Sequence, residues 1–412
     1  MLPLVFVLFF ACYFFCMWRK VLPLCICVFL FAFVLLHEVF GAFFFSMHSI
    51  ADTNYWLFLF AVIYFYFWFF SFYWLGRYGL IGVLIHSAIM VLPSLLKVIL
   101  PLHPFILLYP QYADFLPSTH ISIFNLFILF FISGVFFCGS KNIVKLGVVF
   151  TMVCVVLLTN DNHNNERFNE NIKIAVVQVG VYFSNGGNTT DFFHDLLTFI
   201  DKNPDIDSIV FSENNLFSFK NKYNKKITEK LLSDIKRSTL PHKYHVFLSL
   251  NGYREFNNII TLHLFKNDFN FNQKRVLIPF IEKPGILNQK NEINSDYYYI
   301  YNSHKNQSFN IMGASVSTYI CYDALFPEIR DNSEQIILIQ SNYGLLDKGY
   351  GHDRLKYFAT YLAKFLNGMR SKVVINVQNH GGTVVLYDDW RIDHQIYESS
   401  KKAPFLIIKI KS

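Results

Sequence analysis

Three residues of this chain have types and settings that could do covalent chemistry together: Glu213, Lys274 and Cys321. Cys321 lies in Ser317-Thr318-Tyr319-Ile320-Cys321-Tyr322-Asp323-Ala324-Leu325-Phe326-Pro327-Glu328. The stretch begins as an apolar, β-branched run and ends on a Pro-then-acid helix start, so it reads as a buried strand turning into a helix. The cysteine is expected exposed at that corner, beside backbone N–H groups and a helix N-terminus, where a thiol's pKa falls and its thiolate becomes nucleophilic. Glu213 ends the apolar run Ser208–Glu213, where a carboxylate is costly unless it is paired or has a task. Lys274 stands just before the apolar run Val276–Phe280. Each is ordinary alone, since a lone cysteine usually packs as a small hydrophobe and a lysine in a basic pair is usually solvated. Together they have a mechanism: the carboxylate takes the thiol proton, the thiolate attacks a carbonyl, and the ammonium stabilises the oxyanion.

The elements that would carry these residues are read from hydrophobic periodicity. Strands are expected over Ile172–Gly180, Ser208–Glu213, His245–Leu250 and Asn258–Phe265, then over Phe309–Tyr322 and Gln335–Ser341, with Gln273–Phe280 leading into a turn at Glu282-Lys283-Pro284-Gly285. Val373–Val377, Thr383–Tyr387 and Phe405–Ile410 close the series. Helices are expected over Thr190–Ile200, Ile227–Ser238 and Asp353–Arg370. Strands alternating with helices predict an α/β layered domain with its active residues at strand ends. Residues 285–308 form a long irregular segment, expected to act as a lid.

The first 158 residues are different. They are almost wholly apolar and hold many of the 47 Phe, with six basic residues (Arg19, Lys20, Arg77, Lys97, Lys141, Lys145) against three acids (Glu38, Asp52, Asp114). Apolar runs at about 1–17, 21–45, 55–75, 79–100, 120–138 and 143–159 approach or reach the length that spans a bilayer. The first run lacks a basic n-region and further runs follow at once, so it is expected to be retained rather than cleaved. The segment Pro93–Pro117 is expected to be broken or re-entrant. Basic residues follow the first, third and fifth runs, so those connections are placed in the cytoplasm and everything after residue 160 outside it. The crowd Tyr64, Tyr66, Trp68, Tyr73 and Trp74 is expected to face lipid and form an interfacial belt. The expected division is a membrane domain at 1–160, a linker at 161–171 and a catalytic domain at 172–412. The net charge of +7 forms no basic block, so nothing points to nucleic acid. Cys321 is the one cysteine of the soluble part, which offers neither a disulfide pair nor zinc-ligand spacing; no metal or cofactor is expected.

The order Glu213, Lys274, Cys321, each at a strand end, resembles the carbon–nitrogen hydrolase (nitrilase) superfamily over essentially the whole soluble half. The residues carrying the likeness are IVFSENN at the glutamate, NQKRVLIPFIEKPG at the lysine, ICYDALFPE at the cysteine, then LIQSN and NHGGTVVLYDDW. Membrane runs before such a domain, FNN at Phe256–Asn258 and the spacing from Gln273 to Glu282 look like the apolipoprotein N-acyltransferase family. A shortened conjugal-transfer relative of that family is similar too. The resemblance implies a four-layer α-β-β-α sandwich, with Cys321 as acyl-accepting nucleophile, Glu213 as general base and Lys274 as oxyanion stabiliser. It also implies Glu282 as a second active-site carboxylate, and Asn257, Tyr322 and Asn342 as polar groups around the pocket. The implied activity moves a phospholipid acyl chain through a cysteine thioester to the N-terminal amine of a lipoprotein. The implied setting is a multi-pass monomer of the bacterial inner membrane, its catalytic domain on the periplasmic side. The alternatives are a membrane-anchored amidase, in which water resolves the same intermediate, and a conjugation- or secretion-associated relative with reduced or no activity. The chain departs from the membrane acyltransferases in having six apolar runs rather than seven, and no further run after the catalytic half. It also departs around Tyr343-Gly344-Leu345, where the family has a Trp. ALFPE is closer to soluble amidases.

Overall fold

The computed structural model describes residues 2–40, 51–108, 122–159, 171–253, 258–266, 268–278, 282–283, 299, 306–328, 334–343, 352–369 and 371–410. Contacts divide the chain into two compact units. The division is not a single cut: residues 326–332 and 346–369 group with residues 1–165, and the rest form the second unit.

The first unit is helical. Its apolar runs form α1 (Leu2–Met17), α2 (Val21–Phe40), α3 (Ala51–Leu75), α4 (Gly79–Leu95), α5 (Pro104–Leu108), α6 (Ser122–Val135) and α7 (Asn142–Thr159). By length and composition, one stretch among the described residues, Leu59–Leu95, is long and apolar enough to cross a membrane. That stretch is a hairpin rather than one straight rod. A 3-10 turn at Gly76–Tyr78 interrupts it, and the Ser71 hydroxyl lies 2.7 Å from His86 Nδ1. In a continuous helix, residues fifteen apart would be separated by about 22 Å. Glycine is required at the return, because a Cβ on Gly82 would sit 1.7 Å from the Leu75 carbonyl oxygen.

Aromatic rings fill the centre of this unit. Phe9, Phe31, Phe65, Trp68, Phe69 and Phe130 are fully buried, and Trp68 packs edge-on against Phe9 and Phe130. Tyr64 and Trp68 therefore point into the bundle, correcting the expectation that they face lipid; Trp74 is exposed, as that expectation has it. Among the described residues from α1 to α7 the buried polar side chains include no Lys, Arg, Asp or Glu, and they find partners one at a time: Trp68 Nε1 donates to the Tyr13 hydroxyl at 3.0 Å, and His103 Nε2 meets Ser133 Oγ at 3.1 Å. In the Pro93–Pro117 segment, α4 carries Pro93 and ends at Leu95, and the short α5 follows; residues 109–117 lie outside the described ones.

The second unit is α/β. In chain order come β1 (Ile172–Val177), α8 (Val179–Ser184), α9 (Phe192–Asp201), β2 (Ser208–Phe211), α10 (Lys222–Arg237), α11 (Leu240–Lys243), β3 (His245–Tyr253), β4 (Asn258–Phe265) and β5 (Asp268–Gln273). Then follow β6 (Phe309–Ile311), β7 (Ala314–Ile320) and β8 (Ile336–Ser341), before α12 (His352–Asn367) in the helical unit. There α12 packs against α2, α5 and α6. Returning to the α/β unit, the chain forms β9 (Val373–Gln378), β10 (Val384–Tyr387), α13 (His394–Ser400) and β11 (Phe405–Ile410).

The strands form two mixed sheets, ordered β11-β1-β2-β3-β4-β5 and β10-β9-β8-β7-β6. The parallel runs β1-β2-β3 and β7-β8-β9 form their middles, and the central strands β2, β8 and β9 are buried along their whole length. Ile174, Val176, Val210 and Phe247 of the first sheet meet Val316, Leu338, Ile375 and Val377 of the second in one core. The opposite face of the first sheet buries Ala175, Ile209, Phe211 and Leu248 against Leu196 and Ile200 of α9 and Leu231 and Ile235 of α10. Within this unit the layers run helix, sheet, sheet. The expected strand over Phe309–Tyr322 is split by a turn at Met312-Gly313. Gly313, at φ 85°, adopts the left-handed conformation that this turn needs. The helices α8 and α13 and the strand β5 were not expected, being short or polar.

Candidate active site

Glu213, Lys274 and Cys321 each follow the C-terminal end of a strand, β2, β5 and β7 respectively. Glu213 is fixed by its neighbours on both sides. Ser212 Oγ donates to Asn379 Oδ1 at 3.0 Å. Asn214 Oδ1 accepts from the Leu216 and Phe217 amides at 3.1 and 2.8 Å, curling the loop on itself. Lys274 is held by its amide, which donates to the Ile259 carbonyl at 2.9 Å. One residue earlier, Gln273 is bonded in both directions to the Asn306 amide. Two polar bolts cross between the sheets. Asn272 Nδ2 donates to Thr318 Oγ1 at 2.8 Å, tying the strand of the lysine to the strand of the cysteine. Gln340 Nε2 donates to the Phe211 carbonyl at 2.5 Å, and its oxygen accepts from Thr261.

The cysteine does not lead into an α-helix at once. Cys321–Leu325 is a 3-10 turn, and Cys321 itself has φ 51°. A residue with a Cβ rarely adopts this left-handed conformation, which projects the side chain sharply off the end of the strand. Residues 329–330, where the expected helix would run, lie outside the described residues.

Four charged or ionisable side chains converge. Lys274 Nζ lies 3.1 Å from Glu213 Oε1 and 2.6 Å from Glu282 Oε1. Glu282 is aimed by its own turn, since its second oxygen accepts from the Ile278 amide at 2.8 Å. The Cys321 thiol sits within hydrogen-bonding reach of Glu213 and beside the Asn342 backbone N–H. Lys274, Glu213 and Cys321 are all at most 5% exposed.

Burial governs the protonation of this cluster. It pushes Glu213 up from the ordinary carboxylate value, Lys274 pulls it back, and Glu282 raises it again; the direction is up. Burial alone would lower Lys274, but Glu213 and Glu282 more than offset it and hold the ammonium well above its usual range. The thiol is raised by burial and then by Glu213, against the smaller pull of Lys274 and the Asn342 amide. This corrects the expected exposed corner with a lowered pKa. The thiol is buried next to carboxylates, so desolvation and like charge outweigh the donors. Cys321 rests protonated beside a carboxylate ready to take its proton, an arrangement for proton removal during attack rather than for a standing thiolate.

Of the supporting residues expected from the sequence, Glu282 lies on Lys274 as stated. Tyr322 stands near Glu282 and Lys274. Asn342 meets the thiol through its main chain. Asn257 lies outside the described residues, as does most of the 285–308 segment. Tyr299 and Tyr343 were missed. Both rings stand close enough to the carboxylates for their hydroxyls to be raised, chiefly by burial. Tyr343 directly follows the Ser341-Asn342 pair, and that position was the available signal. Thr261, Thr318 and Gln340 were missed as bolts, although a polar side chain inside an apolar strand calls for a partner. Among the described residues, no three His, Cys, Asp or Glu side chains gather so as to hold a metal ion.

No protein-family model matches the chain. A sequence comparison with curated proteins likewise finds no match. Among solved structures, the chain is similar to a carbon–nitrogen hydrolase from Helicobacter pylori, with a TM-score of 0.42, 16% identity, and coverage of 59% of this chain and 90% of that one. It is similar to a CN-hydrolase superfamily protein from Xanthomonas campestris that carries an arsenic adduct in its active site, with a TM-score of 0.38, 12% identity, and coverage of 59% and 91%. A glutamine-dependent NAD+ synthetase from Acinetobacter baumannii gives a TM-score of 0.41 and 16% identity, over 58% of this chain and 45% of that one. What the site can do is decided by its own residues.

Proposed function

We propose that this protein is an acyl-transferring enzyme of the carbon–nitrogen hydrolase superfamily, resembling the apolipoprotein N-acyltransferases, with Cys321 as nucleophile. The observation that carries the reading is the buried quartet of Glu213, Lys274, Glu282 and Cys321 at strand ends. Burying two carboxylates around one ammonium is expensive, and the cost is repaid in function when a thiol stands among them. Glu213 takes the thiol proton as Sγ attacks the ester carbonyl of a phospholipid. The oxyanion is met by the Lys274 ammonium and the Asn342 N–H. Collapse of the intermediate expels the lysophospholipid alcohol, to which Glu213 returns the proton, and leaves a thioester on Cys321. An N-terminal amine of a lipoprotein then attacks that thioester, giving its proton to Glu213, and the departing thiolate is reprotonated. Tyr299, Tyr322 and Tyr343 narrow the pocket around these groups.

The helical unit supports a membrane setting by its composition. Its exposed residues include large apolar side chains such as Val7, Trp18, Leu22, Ile81, Leu146 and Phe150, which lipid would cover more favourably than water. In this proposal 1–160 is a multi-pass domain of the bacterial inner membrane, 161–171 a linker, and 172–412 the catalytic domain on the periplasmic side, working as a monomer without a cofactor. Purified protein incubated with labelled phospholipid is expected to form a hydroxylamine-sensitive adduct that Cys321→Ala lacks. An absent adduct would sink the acyltransferase reading, and an adduct resolved by water in preference to an amine would make the protein an amidase. Alkaline phosphatase fused after residue 165 is expected to be active; an inactive fusion overturns the periplasmic placement.

A further inference from the structure

The turn presenting Cys321 is strained, and a second ion pair, of a buried carboxylate with a partly buried arginine, stands against it. Asp323, two residues after the cysteine in the same 3-10 turn, is 2% exposed. Its Oδ2 lies 3.9 Å from Arg275 Nε. The Arg275 guanidinium carbon also lies 5.8 Å from the centroid of Tyr319, two residues before the cysteine. One planar cation thus reaches both arms of the left-handed turn. Arg275 directly follows Lys274 in the chain, so this grip joins the strand end of the nucleophile to the strand end of the oxyanion-stabilising lysine. A buried carboxylate without a task is costly, and the quartet described above leaves Asp323 unused.

We propose that Arg275 and Asp323 form a positioning pair that holds the Cys321 turn in its left-handed conformation and sets Sγ between Glu213, Lys274 and the Asn342 N–H. The proposal rests on Cys321 being the nucleophile. Neither residue touches substrate; both act through the cysteine. Among the described residues, the charged and titratable groups that act on Sγ include Glu213, Lys274, Glu282 and Tyr343, and displacement of the turn changes its distance to all of them.

The test uses the full chain in detergent, with Asp323→Asn, Arg275→Gln, Arg275→Lys and the double variant Arg275→Gln/Asp323→Asn. Three quantities are read: the rate of acyl-adduct formation, the pH profile of iodoacetamide alkylation at Cys321 by peptide mass spectrometry, and the melting temperature. Asp323→Asn and Arg275→Gln are each expected to slow the adduct about tenfold to a hundredfold, the scale of a misplaced reacting group. Both should move the Cys321 alkylation profile to lower pH, because a displaced thiol leaves the burial and the carboxylates that raise it, while melting stays close to that of the native protein. The double variant should be no slower than the slower single one, because one pair is broken once. Arg275→Lys keeps the charge but loses the planar contact, and recovers part of the rate. Native adduct rates and native alkylation profiles in both single variants would overturn the proposal. So would rate losses that multiply in the double variant, or that track the unfolded fraction. If Asp323→Asn does not fold, Arg275→Lys decides by its alkylation profile. If the native protein forms no adduct, the acyl-enzyme reading falls, and the alkylation profiles still answer for the pair.

Discussion

The helices α1–α7 and the candidate site bury polar groups by opposite rules. Among the described residues from α1 to α7 the buried polar side chains include no Lys, Arg, Asp or Glu, and several meet in neutral pairs: Ser71 with His86, Ser133 with His103, Tyr13 with Trp68. The unit's buried charges, Glu328, Lys356 and Lys364, lie on the segments that return to it. Such neutral pairs satisfy a hydrogen bond where water is excluded, and each contributes modestly. The α/β unit instead concentrates full charges, Glu213 and Glu282 on Lys274, at positions at most 8% exposed. The desolvation of such a group is large, and three charges do not cancel. The difference separates polar groups that hold a fold from polar groups that a fold is built to hold.

The largest break in that contrast should come from Lys274→Met, which leaves two buried carboxylates facing each other. Acyl-adduct formation should fall by about a hundredfold to a thousandfold, and stability by about 3–5 kcal/mol, as for a broken buried pair. The folded-state pKa of Lys274 is raised, so its stabilising contribution is fully present below the unfolded value and is lost as pH rises through the folded one. Native and variant unfolding free energies should therefore converge only in strong alkali. Convergence at neutral pH would remove the charged-cluster account.

Glu282→Gln should act more gently, slowing the adduct about tenfold and shifting its pH profile. Glu282 raises Glu213, so neutralising it should lower the Glu213 pKa and move the acid limb of the rate to lower pH. An acid limb that moves upward would mean that Glu213 is not the base. Replacing the left-handed Cys321 separates strain from chemistry. Cys321→Gly and Cys321→Ala should both lack the adduct, but the glycine variant should be more stable by about 1 kcal/mol, read by denaturant unfolding. Equal stabilities would mean that the turn stores no strain. The smallest effect belongs to the helical unit. Ser133→Ala should cost about 1 kcal/mol through His103, seen as a melting shift of a few degrees, with the adduct rate unchanged; a lost adduct would erase the contrast.

Much of the site was legible before any coordinates. Glu213 and Lys274 stand beside runs whose apolar pattern forces burial, and Cys321 follows a β-branched strand, so type and position alone marked them. Glu282 came only through the family likeness. The bolts Gln340, Thr318 and Thr261 were not legible, because a polar residue in a strand gives no sign of which strand of the other sheet it will meet. The contact of Arg275 with Asp323 was hidden for the same reason, whereas Tyr343 had a signal in its place directly after Ser341-Asn342. The Cys321 pKa was misjudged, since a helix-start signal is local and burial is not.

By itself, the sequence determined that the described residues among the first 158 form mostly apolar helices and that most of the later ones form an α/β layered unit, because periodicity and composition are properties of neighbours along the chain. It also singled out Glu213, Lys274 and Cys321 as residues whose types could do covalent chemistry together. Only the tertiary structure decided that Lys274 is shared by two carboxylates, that the thiol is buried and protonated, and that α12 groups with the helical unit. Those outcomes depend on distances between residues far apart in sequence, Glu213 and Lys274 being 61 apart, and on desolvation, which exists only once the sheets have closed over the site.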